Sequence, residues 1–132
     1  MNRVTLPRLG DRLTLGSSGL QVSPFCVGRV GQPDTVLAAY DAGINFFFLT
    51  ADMHWPLYEA TRRGLGLLLG RGGDIRDRIV VATTSYVTQP EFCFMPHREV
   101  LDAMPGLDRI DVLVAGGVYV PEIDRPPTAA RA

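Results

Sequence analysis

The stretch DMHWPLYE, residues 52–59, places a carboxylate, an imidazole and a phenol close together in the chain. These are groups of general acid–base chemistry. His54 would act as the base, Asp52 would orient it, and Tyr58 would donate a proton. A simpler reading of the same residues is a rim histidine packed beside Trp55. The only other histidine, His97, stands just before a short helical pattern, where it would cap the helix or face solvent. All 13 basic residues are arginine. The absence of lysine excludes Schiff-base chemistry and a lysine-tuned acid. Cys26 and Cys93 are far apart and lack the paired spacing of zinc or thioredoxin-like sites, so they read as reduced, buried thiols and no metal is expected. RGLGLLLGRGG is glycine-rich, but its spacing fits neither GxGxxG nor GxxxxGK[ST], and no cofactor site is expected from it.

A second group is apolar. Trp55, Phe92, Phe94 and Met95 fall in segments between buried strands. Such side chains line hydrophobic substrate or peptide pockets, and they also serve as anchors at protein interfaces. Both readings stay open on sequence alone. The arginines are scattered, with Arg62–Arg63 and the cluster in residues 71–78 reading as solvated helix ends.

The elements that must position these groups follow from apolar pattern and chain punctuation. LTLGSSGLQV (13–22) reads as a β-hairpin turning on GSSG. SPFCVGRV (23–30) is a first buried strand. Pro33–Asp34 open a helix that runs through Ala42, and Gly43 stops it. INFFFLTA (44–51) is almost wholly apolar, as a parallel strand buried on both faces is. A helix over about 57–69 presents Leu57, Ala60, Thr61, Gly64, Leu65, Leu68 and Leu69 as its apolar stripe. RGGDIRD is a polar connection. IVVATTSY (79–86) is the next strand, VTQPEFCFMP a long loop, HREVLDAM (97–104) a short helix, and IDVLVAGGVY (110–119) the last strand. The tail, residues 120–132, is proline- and alanine-rich and reads as disordered, giving one domain over 1–119. Strands alternating with helices make βαβ units and a parallel sheet.

The bounds agree. A chain of 132 residues, 46% hydrophobic and 20% charged, is one ordinary domain. A net charge of -1 offers no bulk field for nucleic acid or anionic membranes. No apolar run reaches the ~18 residues of a membrane span. The N-terminal residues lack the apolar stretch of a signal peptide, so the expected setting is cytoplasmic.

Four segments, in order, resemble the aldo-keto reductase family. LGSSGLQVSPFCVG is similar to the family's LGRSGLxVSxLGLG, and DAGINFF with the following TAD to DAGINFFDTAD. IVVATTSY stands where the family has VVIATK, and LDRIDVLVAGG resembles LDYIDLLLLHxP. The resemblance spans about residues 13–119. It implies an N-terminal hairpin followed by the first four strands of an eight-stranded α/β barrel, here a half-barrel, in a family that reduces carbonyls with NADPH. The family's chemistry uses an aspartate, a tyrosine, a lysine and a histidine. The aspartate position falls on Leu49 when TAD is aligned, and on Phe48 when GINFF is aligned. The tyrosine position falls on His54, the lysine position on Thr84 and the histidine position on Gly116. None of the four groups is retained. Glu59 matches a family glutamate near the second helix start, where a carboxylate suits the positive dipole end.

Three functions are compatible with this pattern. The first is a noncatalytic half-barrel subunit that binds or scaffolds a partner, or a second copy of itself, through an open sheet face whose apolar side chains water would leave uncovered. The second is an enzyme of altered chemistry built on Asp52, His54 and Tyr58. The third is a residual NADPH-dependent carbonyl reductase completed by another chain.

Overall fold

The computed structural model describes residues 4–51, 54–86 and 90–115. The predicted tail, Asp52 and Gly116 lie outside them. The chain opens with an antiparallel hairpin, β1 (Leu13–Thr14) and β2 (Gln21–Val22), in which Leu13 pairs with Val22. β3 (Cys26–Val27), β4 (Phe46–Thr50), β5 (Val80–Ser85) and β6 (Val112–Ala115) then form one parallel sheet in that order. Helices α1 (Pro33–Asp41), α2 (Glu59–Gly70), the single turn α3 (Ile75–Arg78) and α4 (Met95–Ala103) supply the crossovers. This is the α/β half-barrel order expected from the alternating pattern. Among the described residues no helix is long and apolar enough to cross a membrane.

Several boundaries differ from expectation, each for a local reason. The first strand shrinks from 23–30 to two residues, because Pro24 cannot donate to a ladder. The second helix begins at Glu59 rather than 57. Pro56 sits in a 3₁₀ turn, Trp55–Tyr58, that precedes it. Leu57, expected in the buried stripe, is therefore exposed, while Thr61, Gly64, Leu65 and Leu68 are buried as expected. The connection RGGDIRD runs into α3, which is closed by the Arg78–Asp74 pair at 2.8 Å. The last helix starts two residues early, at Met95, because Pro96 is well suited to a first turn.

The core lies between the sheet and the helices. Alternation along β4 sends Phe47 and Leu49 to the helix side, where they meet Val36, Leu65, Leu68, Val81 and Val100. Each such side chain contributes about 1.5–3 kcal/mol on burial. Helices α1 and α2 pack closely because residue 64 is glycine: a Cβ there would stand 2.5 Å from the Pro33 carbonyl oxygen and 2.7 Å from the Val36 Cβ.

Two polar clusters fix the sheet's lower end. The Asn45 amide accepts from Ser23 N–H at 2.7 Å and donates to the carbonyls of Gln21 and Arg78 at 2.9 and 3.1 Å. It thereby ties the hairpin, β4 and α3 together. Asp111, whose side chain is 8% exposed, accepts from the Val81 N–H and from Arg76 and Arg109. The arginine cluster is thus not simply solvated, since the Arg76 side chain is only 12% exposed.

Register assigns the opposite, concave face. Cys26 pairs with Phe46 and Phe46 with Val80; Phe48 pairs with Ala82 and Ala82 with Val112; Thr50 pairs with Thr84 and Thr84 with Val114. Partners in a parallel ladder share a face. The expectation of a wholly uncovered inner face needs correction. Val80, Ala82, Thr84 and Thr50 are buried, whereas Cys26 and Val114 are exposed and Phe46, Phe48 and Val112 half-buried. Cys26 is accordingly not the buried thiol expected, and Cys93 is only partly buried.

Candidate functional site

In barrels of this architecture the chemistry sits at the C-terminal ends of the strands. Here that rim is made by the ends of β4 and β5, the 3₁₀ turn and the start of α4. The two residues aligned with the family aspartate point in opposite directions. Leu49 faces the helices and is 1% exposed, whereas Phe48 faces the concave side, where its ring meets Tyr58 edge-on at 6.0 Å. The concave position is thus filled by an aromatic hydrocarbon. Thr84, at the lysine position, is buried, and its hydroxyl donates to the Val114 carbonyl at 3.0 Å. It carries no charge at neutral pH. The Thr50 hydroxyl beside it is buried without a hydrogen-bond partner.

His54 and Tyr58 bracket the 3₁₀ turn, and each is packed on a different ring. His54 meets Tyr86 at 5.2 Å between centroids, in a T-shaped arrangement, and Tyr58 meets Phe48. The imidazole and phenol are thus held as rim aromatics. Trp55 is covered by the Arg62 guanidinium, 4.7 Å from the ring centroid. Arg62 in turn pairs with Glu59 at 3.0 Å. Glu59 stands in the first turn of α2, as the dipole argument expects, and Arg62 is less free than a solvated helix end. His97 is half-buried: its Nδ1 shares a 2.7 Å hydrogen bond with the fully buried Thr83 hydroxyl.

Of the apolar quartet, Phe92 and Phe94 occupy the turns before α4 and Met95 its first residue. All three are exposed, as is Trp55. Trp55 and Tyr58 line a cavity of about 410 Å³ between the 3₁₀ turn with α2 on one side and Pro96, Glu99 and Val100 of α4 on the other. This cavity lies among the helices at the strand ends. A larger one, about 790 Å³, opens at the opposite end beside the hairpin, among Arg12, Asp41, Arg78 and Arg109. Sequence reading missed both, because each is assembled from segments distant in the chain. Among the described residues no cluster of His, Cys, Asp or Glu could hold a metal ion.

Cys26 combines exposure by area with a shielded sulfur. Desolvation pushes its thiol up to about 11, so it is a poor nucleophile at neutral pH. Among the described residues the concave face therefore carries hydrocarbon, hydroxyl and a protonated thiol, and no carboxylate, guanidinium or ammonium.

No protein-family model matches the sequence, and no curated protein matches it. Among solved structures, the chain is similar to the crystal structure of a Pseudomonas aeruginosa protein described as a candidate aldo-keto reductase, with a TM-score of 0.55 and 24% identity. The similarity covers 89% of this chain and 56% of that one, so this chain spans little more than half of that protein's length. The likeness is one of fold: a hairpin and four parallel strands arranged as in part of an aldo-keto-reductase-like barrel.

Proposed function

We propose that this chain is a noncatalytic aldo-keto-reductase-like subunit that binds a protein partner through its concave sheet face. The observation that carries this reading is the chemical blankness of that face. A reductase of this fold polarises a carbonyl with charged and proton-donating groups at the strand ends. Here Phe48 and Thr84 occupy two of those places, and neither supplies a charge. At the same time Cys26, Phe46, Phe48, Val112 and Val114 present apolar surface at a sheet with free edges among the described residues. Each 100 Å² of that surface removed from water contributes about 2.5 kcal/mol. The expected partner is a protein rather than nucleic acid or membrane, since a net charge of -1 and an uncharged face offer phosphate nothing.

The test has two arms. NADPH is titrated while nicotinamide fluorescence is followed, with a panel of aldehydes added at saturation. No saturable binding and no turnover are expected; either one overturns the noncatalytic reading and revives a reductase completed by another chain. In the second arm, Phe48→Glu places a charge on the concave face. It is expected to abolish association with the partner while the far-UV circular dichroism is retained. Unchanged association removes the face from the reading.

A further inference from the structure

The sheet ends on β3 and β6, and each is paired on one side only among the described residues. The free edge of β6 has a definite polarity. The Thr84 carbonyl accepts from Ala51 N–H on the β4 side, so Thr83 turns its backbone toward β6; with Thr83 opposite Leu113, the backbone groups of Val112 and Val114 face β5 and those of Leu113 and Ala115 point away from it. They form an unmet template for another strand.

All four strands run in the same direction. A 180° rotation about an axis along the strands, on the concave side, preserves that direction. It would set β6 of one copy parallel to β3 of the other, and β6 of the other parallel to β3 of the first. Both free edges close at once, the concave faces turn inward, and every helix stays outside. The result has eight strands, the number at which a barrel's interior is filled by its own side chains. Self-association suits this face for a further reason. A two-fold axis juxtaposes each group near it with its own copy, so a charged face would repel itself; among the described residues this one holds no ionised group. The small net charge of -1 adds little repulsion between whole chains.

We propose that two copies of this 132-residue chain close an eight-stranded parallel barrel about a two-fold axis, each copy's β6 pairing with the other's β3. The proposal rests on the reading of the concave face as an interface and names its occupant.

The mass of the full chain is measured in solution at micromolar concentration by light scattering. Twice the chain mass of 14.4 kDa is expected. Leu113→Pro deletes an outward N–H at an edge position that an unpartnered edge strand tolerates, and its ring blocks an incoming strand. A fall to the single-chain mass with unchanged circular dichroism is expected. Should this variant misfold, cross-linking decides. Val114→Cys in a Cys93→Ser background carries a second thiol on the same face as Cys26. A short bismaleimide should give about tenfold more covalent dimer than Cys93→Ser alone, because paired edges raise the effective concentration. A wild-type chain of single mass overturns the proposal, as does a dimer that resists Leu113→Pro and gains no cross-link. A single-mass chain that binds a different protein, released by Phe48→Glu, defeats the proposal but leaves the interface reading standing. A single-mass chain on which Phe48→Glu has no effect defeats both.

Discussion

Replacing Gly64 by alanine tests the packing on which the sheet's helix side depends. Two effects oppose each other. Alanine is about 1 kcal/mol better than glycine in a helix interior. Against this, the new Cβ would stand 2.5 Å from the Pro33 carbonyl oxygen and 2.7 Å from both Cβ and Cγ2 of Val36. Two of those atoms belong to backbone or to a branch point, so no flexible side-chain end can yield; α1 itself must move away from α2. Overpacking of this kind costs about 1–3 kcal/mol, and the rigidity here argues for the upper part of that range. A net loss of about 1–2 kcal/mol follows. Gly66, on the same helix, is exposed, and a Cβ there would meet nothing within 4 Å. Gly66→Ala keeps the propensity gain without the clash and should add about 0.5–1 kcal/mol. Urea unfolding of both variants, with equal m-values, isolates the contact as a gap of about 2–3 kcal/mol. If Gly64→Ala proves as stable as Gly66→Ala, the helices are not held at the distance described, and the reasoning fails.

Other predictions concern the lower end of the sheet and its ionisable groups. Asn45→Ala leaves the Ser23 N–H and two carbonyls without their partner, so a loss of about 2–3 kcal/mol is expected, with faster amide exchange across residues 13–22; exchange unchanged in the hairpin would contradict the tie. The bidentate hydrogen bond from Arg71 holds the Asp41 carboxyl below the usual carboxylate range. Its contribution is present above the unfolded carboxylate value and is lost as pH falls through the lowered folded value. Asp41→Asn should flatten that part of the acid-unfolding curve, and added salt should do the same to the parent because the pair is exposed. In a Cys93→Ser background, the rate of Cys26 alkylation by iodoacetamide should keep rising with pH to about 11; a plateau at the ordinary value of 9.0 would show that its sulfur is not shielded. His54→Ala and Tyr58→Phe should leave association of the chain unaltered, since both side chains pack on rim aromatics; loss of association in either would give that turn a direct part in binding.

The strand order was legible because the strands are apolar runs separated by strong punctuation: Pro33 and Gly43 bound α1, and Gly64 through Leu68 repeat at helical spacing. What could not be read depends on register. Phe48 and Leu49 are neighbours in the run FFFLT, and the sequence alignment is ambiguous between them. Only pairing with Ala82 and Thr83 shows that one faces the concave side and the other the core. The Arg76–Asp111 pair and the Thr83–His97 bond join residues far apart in the chain, where spacing carries no signal. The short α3 was hidden because three of its four residues are charged and an ion pair, not an apolar stripe, closes it. At the candidate site, the loss of the charged groups was legible from residue types alone. The rim's aromatic packing and its cavity were not, because both require the 3₁₀ turn and α4 to meet.

Asp111 does more than neutralise arginines. The Val81 amide, which an ordinary strand would bond to a neighbouring carbonyl, instead bonds a carboxylate at the entry to β6. The outermost strand is thereby indexed from its first residue, before any of its valines is laid down. A shift of the strand by two positions would keep every side chain on its proper face and yet strand that carboxylate away from both guanidinium groups. Hydrophobic pattern alone cannot forbid such a shift; one acidic residue does, and so sets the level along the sheet at which the free edge offers its backbone groups to its surroundings.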